Sequence, residues 1–233
     1  MTDETSSRDK SDERDELNLF ATKVGNEINN PLTAVLAAEQ YLRARIDADP
    51  KLAADERVQR FFGIIETELR EATRIVGDLL DFGARRPIAR SSFLLRSAVD
   101  EAASRVRWPS TITFDNRVAE QMRPVYLDKD NVVLGLAHLL RNAVQAARPS
   151  GGRVHVDAEI ASDVVTIEVK DDGTGMTAEL MSRSLEPLFS SRAKGLGLGL
   201  PIADAIARAH GGSLSCDSAP GMGSTFVMRL PLA

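Results

Sequence analysis

Histidine is scarce, and its placement excludes more than its number does. Of 233 residues only His138, His155 and His210 are histidine, so the first 137 positions hold none. A step that needs an imidazole cannot be carried by that stretch. A single cysteine, Cys216, cannot close an internal disulfide, which suits a reducing compartment. No apolar run approaches the ~20 residues of a membrane span. No secretory leader opens the chain either, so the expected location is cytoplasmic, without membrane insertion. Basic residues are not in excess: 29 Lys and Arg stand against 34 Asp and Glu, for a net charge of −5. Nucleic acid is therefore not an expected partner. The phosphate-loop pattern GxxxxGK[ST] is absent.

What is present falls into three stretches. Residues 1–16 carry seven acidic and three basic side chains and no apolar one after Met1. They read as a disordered acidic tail. From residue 17 to 86 the apolar positions follow helical spacing twice. The first series is Leu17, Phe20/Ala21, Val24, Ile28, Leu32, Val35, Ala38, Leu42 and Ile46. The second is Val58, Phe61/Phe62, Ile65, Leu69, Ala72, Ile75/Val76 and Leu79/Leu80. Asp47-Ala48-Asp49-Pro50 separates them, and Gly83 ends the second. Two long helices joined by a turn bury one seam and leave apolar stripe to cover. A second copy would cover it, giving a four-helix bundle, so a homodimer is expected.

The first helix holds an internal contradiction. Val24-Gly25-Asn26-Glu27-Ile28-Asn29-Asn30-Pro31-Leu32-Thr33 places a proline and three asparagines in its middle. Pro31 has no N–H, so the carbonyl of Glu27 loses its helical partner. A plain coiled-coil dimeriser has no need of that. The stretch resembles the H-box of two-component sensor histidine kinases, His-Glu-Ile-x-Asn-Pro-Leu-Thr. Glu27, Ile28, Asn30, Pro31, Leu32 and Thr33 match, and Asn26 stands where the phosphoacceptor histidine belongs. The resemblance implies a dimerisation and histidine-phosphotransfer hairpin. In it Glu27 would act as acid or base beside the acceptor, and Asn30 would position water for dephosphorylating a response regulator. An amide nitrogen has no basic lone pair, so Asn26 cannot form a phosphoramidate.

From residue 87 to 233 the pattern alternates. Helices are expected over 95–106, 129–147 (capped by Asp128) and 198–209. Strands are expected over 111–116, 124–127, 154–160, 165–169, 214–216 and 226–230. This is an α/β sandwich, a mixed sheet with helices on one face. Polar blocks sit at the element ends. His138 and Asn142 share a helix face, and a carboxamide oxygen suits Mg²⁺. Asp171-Asp172-Gly173-Thr174-Gly175 follows a strand, where a fixed carboxylate can accept from an exocyclic amine. Arg192, Lys194, Gly195, Gly197 and Gly199 lead into a helix whose first turn contains Pro201, a ready anion site. Gly221-Met222-Gly223-Ser224-Thr225 precedes the last strand.

In this order the blocks resemble the N, G1, F, G2 and G3 boxes of the histidine-kinase catalytic domain, the Bergerat-type ATP-binding fold. The resemblance implies that Asn142 holds Mg²⁺ between phosphates and that Asp171 reads the adenine amine, with Gly173, Gly175 and Thr225 beside it. Gly195, Gly197 and Gly199 would frame the triphosphate under a mobile lid over 190–196, with Arg192 and Lys194 adding charge. His138 is a further catalytic candidate; His210 reads as structural and His155 as a surface residue. The whole is an α+β chain: hairpin at 17–86, ATP-binding domain at 87–233. Its implied partners are ATP, Mg²⁺, a second copy, a response-regulator receiver domain and a sensor or upstream protein. With Asn26 in place autophosphorylation would be abolished. Two origins remain open: an engineered His→Asn change in an otherwise competent kinase, or a natural pseudokinase acting as a nucleotide-gated interaction module. A phosphatase-biased member using Asn30 is a further alternative.

Overall fold

A computed structural model describes residues 3–84, 87–190 and 195–232, with residues 3–20 by backbone alone. The chain divides into two units, Met1–Arg85 and Arg86–Ala233.

The first unit is a helical hairpin. Helix α1 spans Asp3–Ala48, with Pro31 inside it. It takes in the acidic stretch that reads as a disordered tail. No glycine or proline occurs between Met1 and Val24, so nothing in the local sequence stops a helix that continues from residue 17. The turn is built by two aspartates. Asp49 accepts from the N–H groups of Lys51 and Leu52, starting the single turn α2 (Pro50–Ala53). Asp55 accepts from Arg57 and Val58 and starts α3 (Glu56–Gly83). The helices run antiparallel. Gly25 is so close to α3 that a Cβ there would lie 2.7 Å from Leu80 Cδ2. Two salt-bridged sets mark α3: Arg70 pairs with Glu66, and Arg74 Nη1 donates to Asp78 Oδ2 at 2.6 Å while its other nitrogens reach Glu71.

The second unit is built on a five-stranded sheet. Its strands are β2 (Ile112–Asn116), β4 (Gly152–Ala161), β5 (Val164–Asp171), β6 (Ser213–Ala219) and β7 (Gly223–Pro231), in the order β2-β4-β5-β7-β6. Only β2 and β4 are parallel. One face is apolar: Val154, Val156, Val165, Ile167, Val169, Phe226, Met228 and Leu230 alternate inward and are buried. Against them lie α4 (Leu95–Ser104), α5 (Lys129–Ala146) and α7 (Gly199–Ala209). The sandwich is the expected one, with two additions. The strand expected at 124–127 forms, as β3 (Val125–Leu127). It pairs with an unforeseen β1 (Ser91–Phe93) in a separate ribbon. A short α6 (Ala178–Arg183), capped by Thr177, follows β5. Segments of three to six residues are too brief to carry a readable period.

Candidate functional site

On α1, Asn26, Glu27 and Asn30 are exposed, and Gly25 just before them is buried against α3. One turn separates Asn26 from Asn30, so both project from one face, with Glu27 beside them. Pro31 does not break the helix. Two positions on, Thr33 Oγ1 donates to the Asn29 carbonyl at 2.8 Å. Among hairpin residues the structure thus presents the three sequence-derived candidates together, to solvent.

In the second unit the candidates gather where β5 ends. Asp171 is its last residue and is 4% exposed. Its Oδ1 accepts from the Gly173 N–H at 2.9 Å, turning the loop back on the strand. Thr174 N–H then donates to Ala146 O, at the end of α5. Gly175 has φ +64, and a Cβ there would lie 1.9 Å from the Ala219 carbonyl. Only glycine fits so close to a backbone with that angle. Facing this loop is the β6–β7 turn. Ser218 Oγ accepts from Met176 N–H at 2.9 Å and donates to Gly223 O at 2.8 Å.

The register corrects one expectation. Asp171 is opposite Ser224, whereas Thr225 is opposite Lys170. Neighbours on a strand point to opposite faces. The side chain that shares the face of Asp171 is therefore Ser224, 5% exposed, and Thr225 points to the other side of the sheet. The pattern Gly-Ser-Thr-Phe offers two hydroxyls, and only the pairing of β5 with β7 decides between them. Cys216 belongs to the same inner face, opposite Phe226. Burial, with Asp171 and Asp217 nearby, pushes its thiol up to about 12.

Alongside, α5 and α7 meet. His138 is buried, and its Nδ1 is 3.1 Å from Arg141 Nη2, a donor, so Nδ1 is the accepting nitrogen. A Cβ on Gly199 would lie 3.3 Å from that Nδ1, so the glycine lets α7 begin directly over His138. Asn142 is one turn along α5, half-buried, on the same face. No side-chain hydrogen bond caps the start of α7, at Leu198. The first N–H groups of a helix have no partner within it and suit an anion. Gly195 and Gly197 both take positive φ, +113 and +68. Gly197 runs against Phe189, whose carbonyl would meet a Cβ at 2.2 Å, and Arg183 stacks on the Phe189 ring at 4.0 Å. Arg192, Lys194 and most of the expected lid over 190–196 lie outside the described residues.

The other two histidines part ways. His210 is buried and structural, as its sequence suggests. Its Nδ1 pairs with Ile206 O at 2.8 Å and its Nε2 accepts from Asp128 N–H at 3.2 Å. It thereby ties the end of α7 to the cap of α5. His155 lies on the open face of the sheet and is half-buried there. Its side chain is 19% accessible and sits 3.5 Å from Asp157 Oδ2. Lys170 and Asp115, opposite it on the two flanking strands, narrow its access to water.

Two family profiles match, in order. Residues 16–87 match the His Kinase A (phospho-acceptor) domain, and residues 127–233 the Histidine kinase-, DNA gyrase B-, and HSP90-like ATPase. The chain belongs to the histidine kinase family. The sensor histidine kinase ZraS of Klebsiella oxytoca is 30% identical over 221 residues, which are 91% of this chain and 46% of ZraS. The kinase spans less than half the length of the curated relatives it matches. Its fold is shared with full-length ShkA in complex with AMPPNP, at TM-score 0.70 and 18% identity over 91% of this chain and 45% of that one. It is shared too with histidine kinase ThkA in complex with response regulator protein TrrA. There the TM-score is 0.64 and the identity 23%, over 97% of this chain and 66% of that one. Among the described residues, no helix of the kinase is long and apolar enough to cross a membrane.

Proposed function

We propose that this kinase binds ATP·Mg²⁺ in its second unit, pairs with a second copy through its hairpin, and works with a response regulator. Asn26 leaves it unable to phosphorylate itself. The observation that carries the reading is the joint presence of an ordered nucleotide fold and an exposed Glu27–Asn30 face built around Asn26. Asp171 would accept from the adenine amine, with Ser224 sharing its face of the sheet. Gly173 and Gly175 keep the loop close to the base, and Gly195, Gly197 and Gly199 bring N–H groups to the phosphates. Arg192 and Lys194 add charge there. His138 is the candidate for proton handling or for orienting the phosphate end. The Asn142 carboxamide is a hard oxygen donor, and Mg²⁺ typically takes one or two protein ligands plus phosphates and waters, so the residue fits. When bound, Mg²⁺ would neutralise phosphate charge.

The second copy is supported by an unpartnered stripe. Ile28, Val35 and Leu42 recur every seven residues on α1 and are 45–50% exposed, with Phe61, Ile64 and Ile65 exposed on α3. The response regulator is supported by the ThkA–TrrA complex, whose kinase shares this fold.

The deciding experiment incubates this chain and its Asn26→His variant with γ-labelled ATP and Mg²⁺. Acid-labile label on the variant alone is the expected outcome, and it marks one replaced residue in a competent kinase. No label on either, with nucleotide bound by both, makes the protein a nucleotide-gated interaction module. A phosphatase-biased role has its own support, since Asn30 is exposed on the Asn26 face. It requires that phospho-regulator decay faster with this chain than alone, and that Asn30→Ala remove the acceleration.

A further inference from the structure

The loop after β5 and the β6–β7 turn approach each other with little side chain between them. Gly175 faces the Ala219 carbonyl, and a Cβ on Gly223 would lie 2.0 Å from the Asp171 carbonyl. Apolar burial does not hold the turn down, because its tip residue Met222 is 77% exposed. Polar contacts must do it. The Gly221 N–H donates to Thr174 O at 2.7 Å. The Arg148 guanidinium donates to the Gly221 carbonyl, and the same nitrogen reaches the Gly173 carbonyl at 3.3 Å. Arg148 follows α5, and its own backbone is fixed by a bridge to Gly151. The three contacts close a ring: Arg148 to Gly173, Thr174 to Gly221, Gly221 back to Arg148. Both backbone groups of Gly221 are used in it.

We propose that Arg148 is a positioning residue for the base end of the nucleotide site, an inference that rests on the nucleotide-binding reading above. It acts through the Asp171–Gly175 loop, whose geometry it fixes against the β6–β7 turn and the end of α5. A planar guanidinium can serve two carbonyls from one side chain, and the charge strengthens both bonds. Without it, the Gly173 and Gly221 carbonyls lose their charged donor, and only the Gly221–Thr174 backbone bond and the Met176–Ser218 bond join the loop to the β6–β7 arm. Asp171 keeps its place in the sheet, but the loop that must lie against the base becomes loose. The effect is therefore confined to ligands that carry a base.

The test compares MgADP with inorganic tripolyphosphate by titration calorimetry, on the full chain and on Arg148→Met. Arg148→Met should weaken MgADP about tenfold, a loss typical of charge-assisted hydrogen bonds, and leave tripolyphosphate within twofold. Arg148→Lys, which keeps a charged donor without the fork, should fall between. Arg148→Gln serves as the second variant should the methionine form fail to fold. Equal MgADP binding by the folded variants and the parent overturns the proposal. So does an equal loss for both ligands, which would mean a general structural role. Failure of the parent chain itself to bind MgADP is a different result: it overturns the nucleotide reading, and this proposal with it.

Discussion

At the scale of single residues, environment decides what each titratable group can do. His155 sits on the open face of the sheet among Asp115, Arg117, Asp157 and Lys170. Burial, followed by the Arg117 charge, holds its imidazole below the usual value of 6.5. The folded chain therefore binds fewer protons there than the unfolded chain does. This contribution to stability is lost as pH falls through the unfolded value near 6.5. His155→Gln should flatten the drop in urea midpoint between pH 7 and pH 5.5; an unchanged drop would assign the acid sensitivity elsewhere. Cys216 shows the opposite sign for an acid: its thiol, pushed up to about 12, stays protonated at neutral pH. Asn26 is the plainest case. Its amide nitrogen has no basic lone pair, so the proposed lack of autophosphorylation rests on this one side chain.

At the scale of elements, the start of α5 carries more than its own helix. Asp128 Oδ1 accepts from Asn131 N–H at 3.0 Å, the ordinary cap. Its Oδ2 accepts from Asn131 Nδ2 at 3.0 Å and from Ala89 N–H at 2.8 Å, and its own N–H goes to His210. One buried carboxylate thus joins the segment before β1 to α5, and the backbone joins both to α7. Removing it leaves several buried donors unpaired. Asp128→Ala should cost about 2–4 kcal/mol, more than the ~1 kcal/mol of a simple cap. Urea unfolding measures this, and a loss under ~1 kcal/mol would reduce Asp128 to a cap alone. Helix α7 has the reverse arrangement: its C-terminal end is tied down by His210, while its N-terminal end has no side-chain cap. An element anchored at one end and open at the other fits an anion site.

At the scale of the whole molecule, the hairpin exposes more apolar surface than a solitary unit of its size has use for. Val35 and Leu42 are each 50% exposed and Phe61 65%. Sedimentation of this chain should give a dimer. Val35→Glu with Leu42→Glu should shift it toward monomer without unfolding the second unit, whose own core is continuous from Phe93 to Leu230. A parent chain that sediments as a monomer at micromolar concentration would leave that stripe without a second copy. The two units differ in what holds them. The hairpin depends on one long seam and its charged sets, and the sandwich on a closed apolar core.

The sequence by itself determined the elements whose signals are local. Helical spacing marked both arms of the hairpin, Asp128 was readable as the cap of α5, and strand alternation marked β4, β5 and β7. The order of the polar blocks was likewise readable without coordinates. Only the tertiary structure decided what depends on partners far along the chain. The pairing of β5 with β7 put Ser224 rather than Thr225 beside Asp171. The ring through Arg148 and Gly221 joins residues 73 positions apart, and the bond from Asp128 to His210 joins residues 82 apart. Periods and caps are fixed by neighbours within a turn or two. Register and long-range hydrogen bonds are fixed by which surfaces meet, and that information resides in the packed sheet and helix layer, not in any one segment.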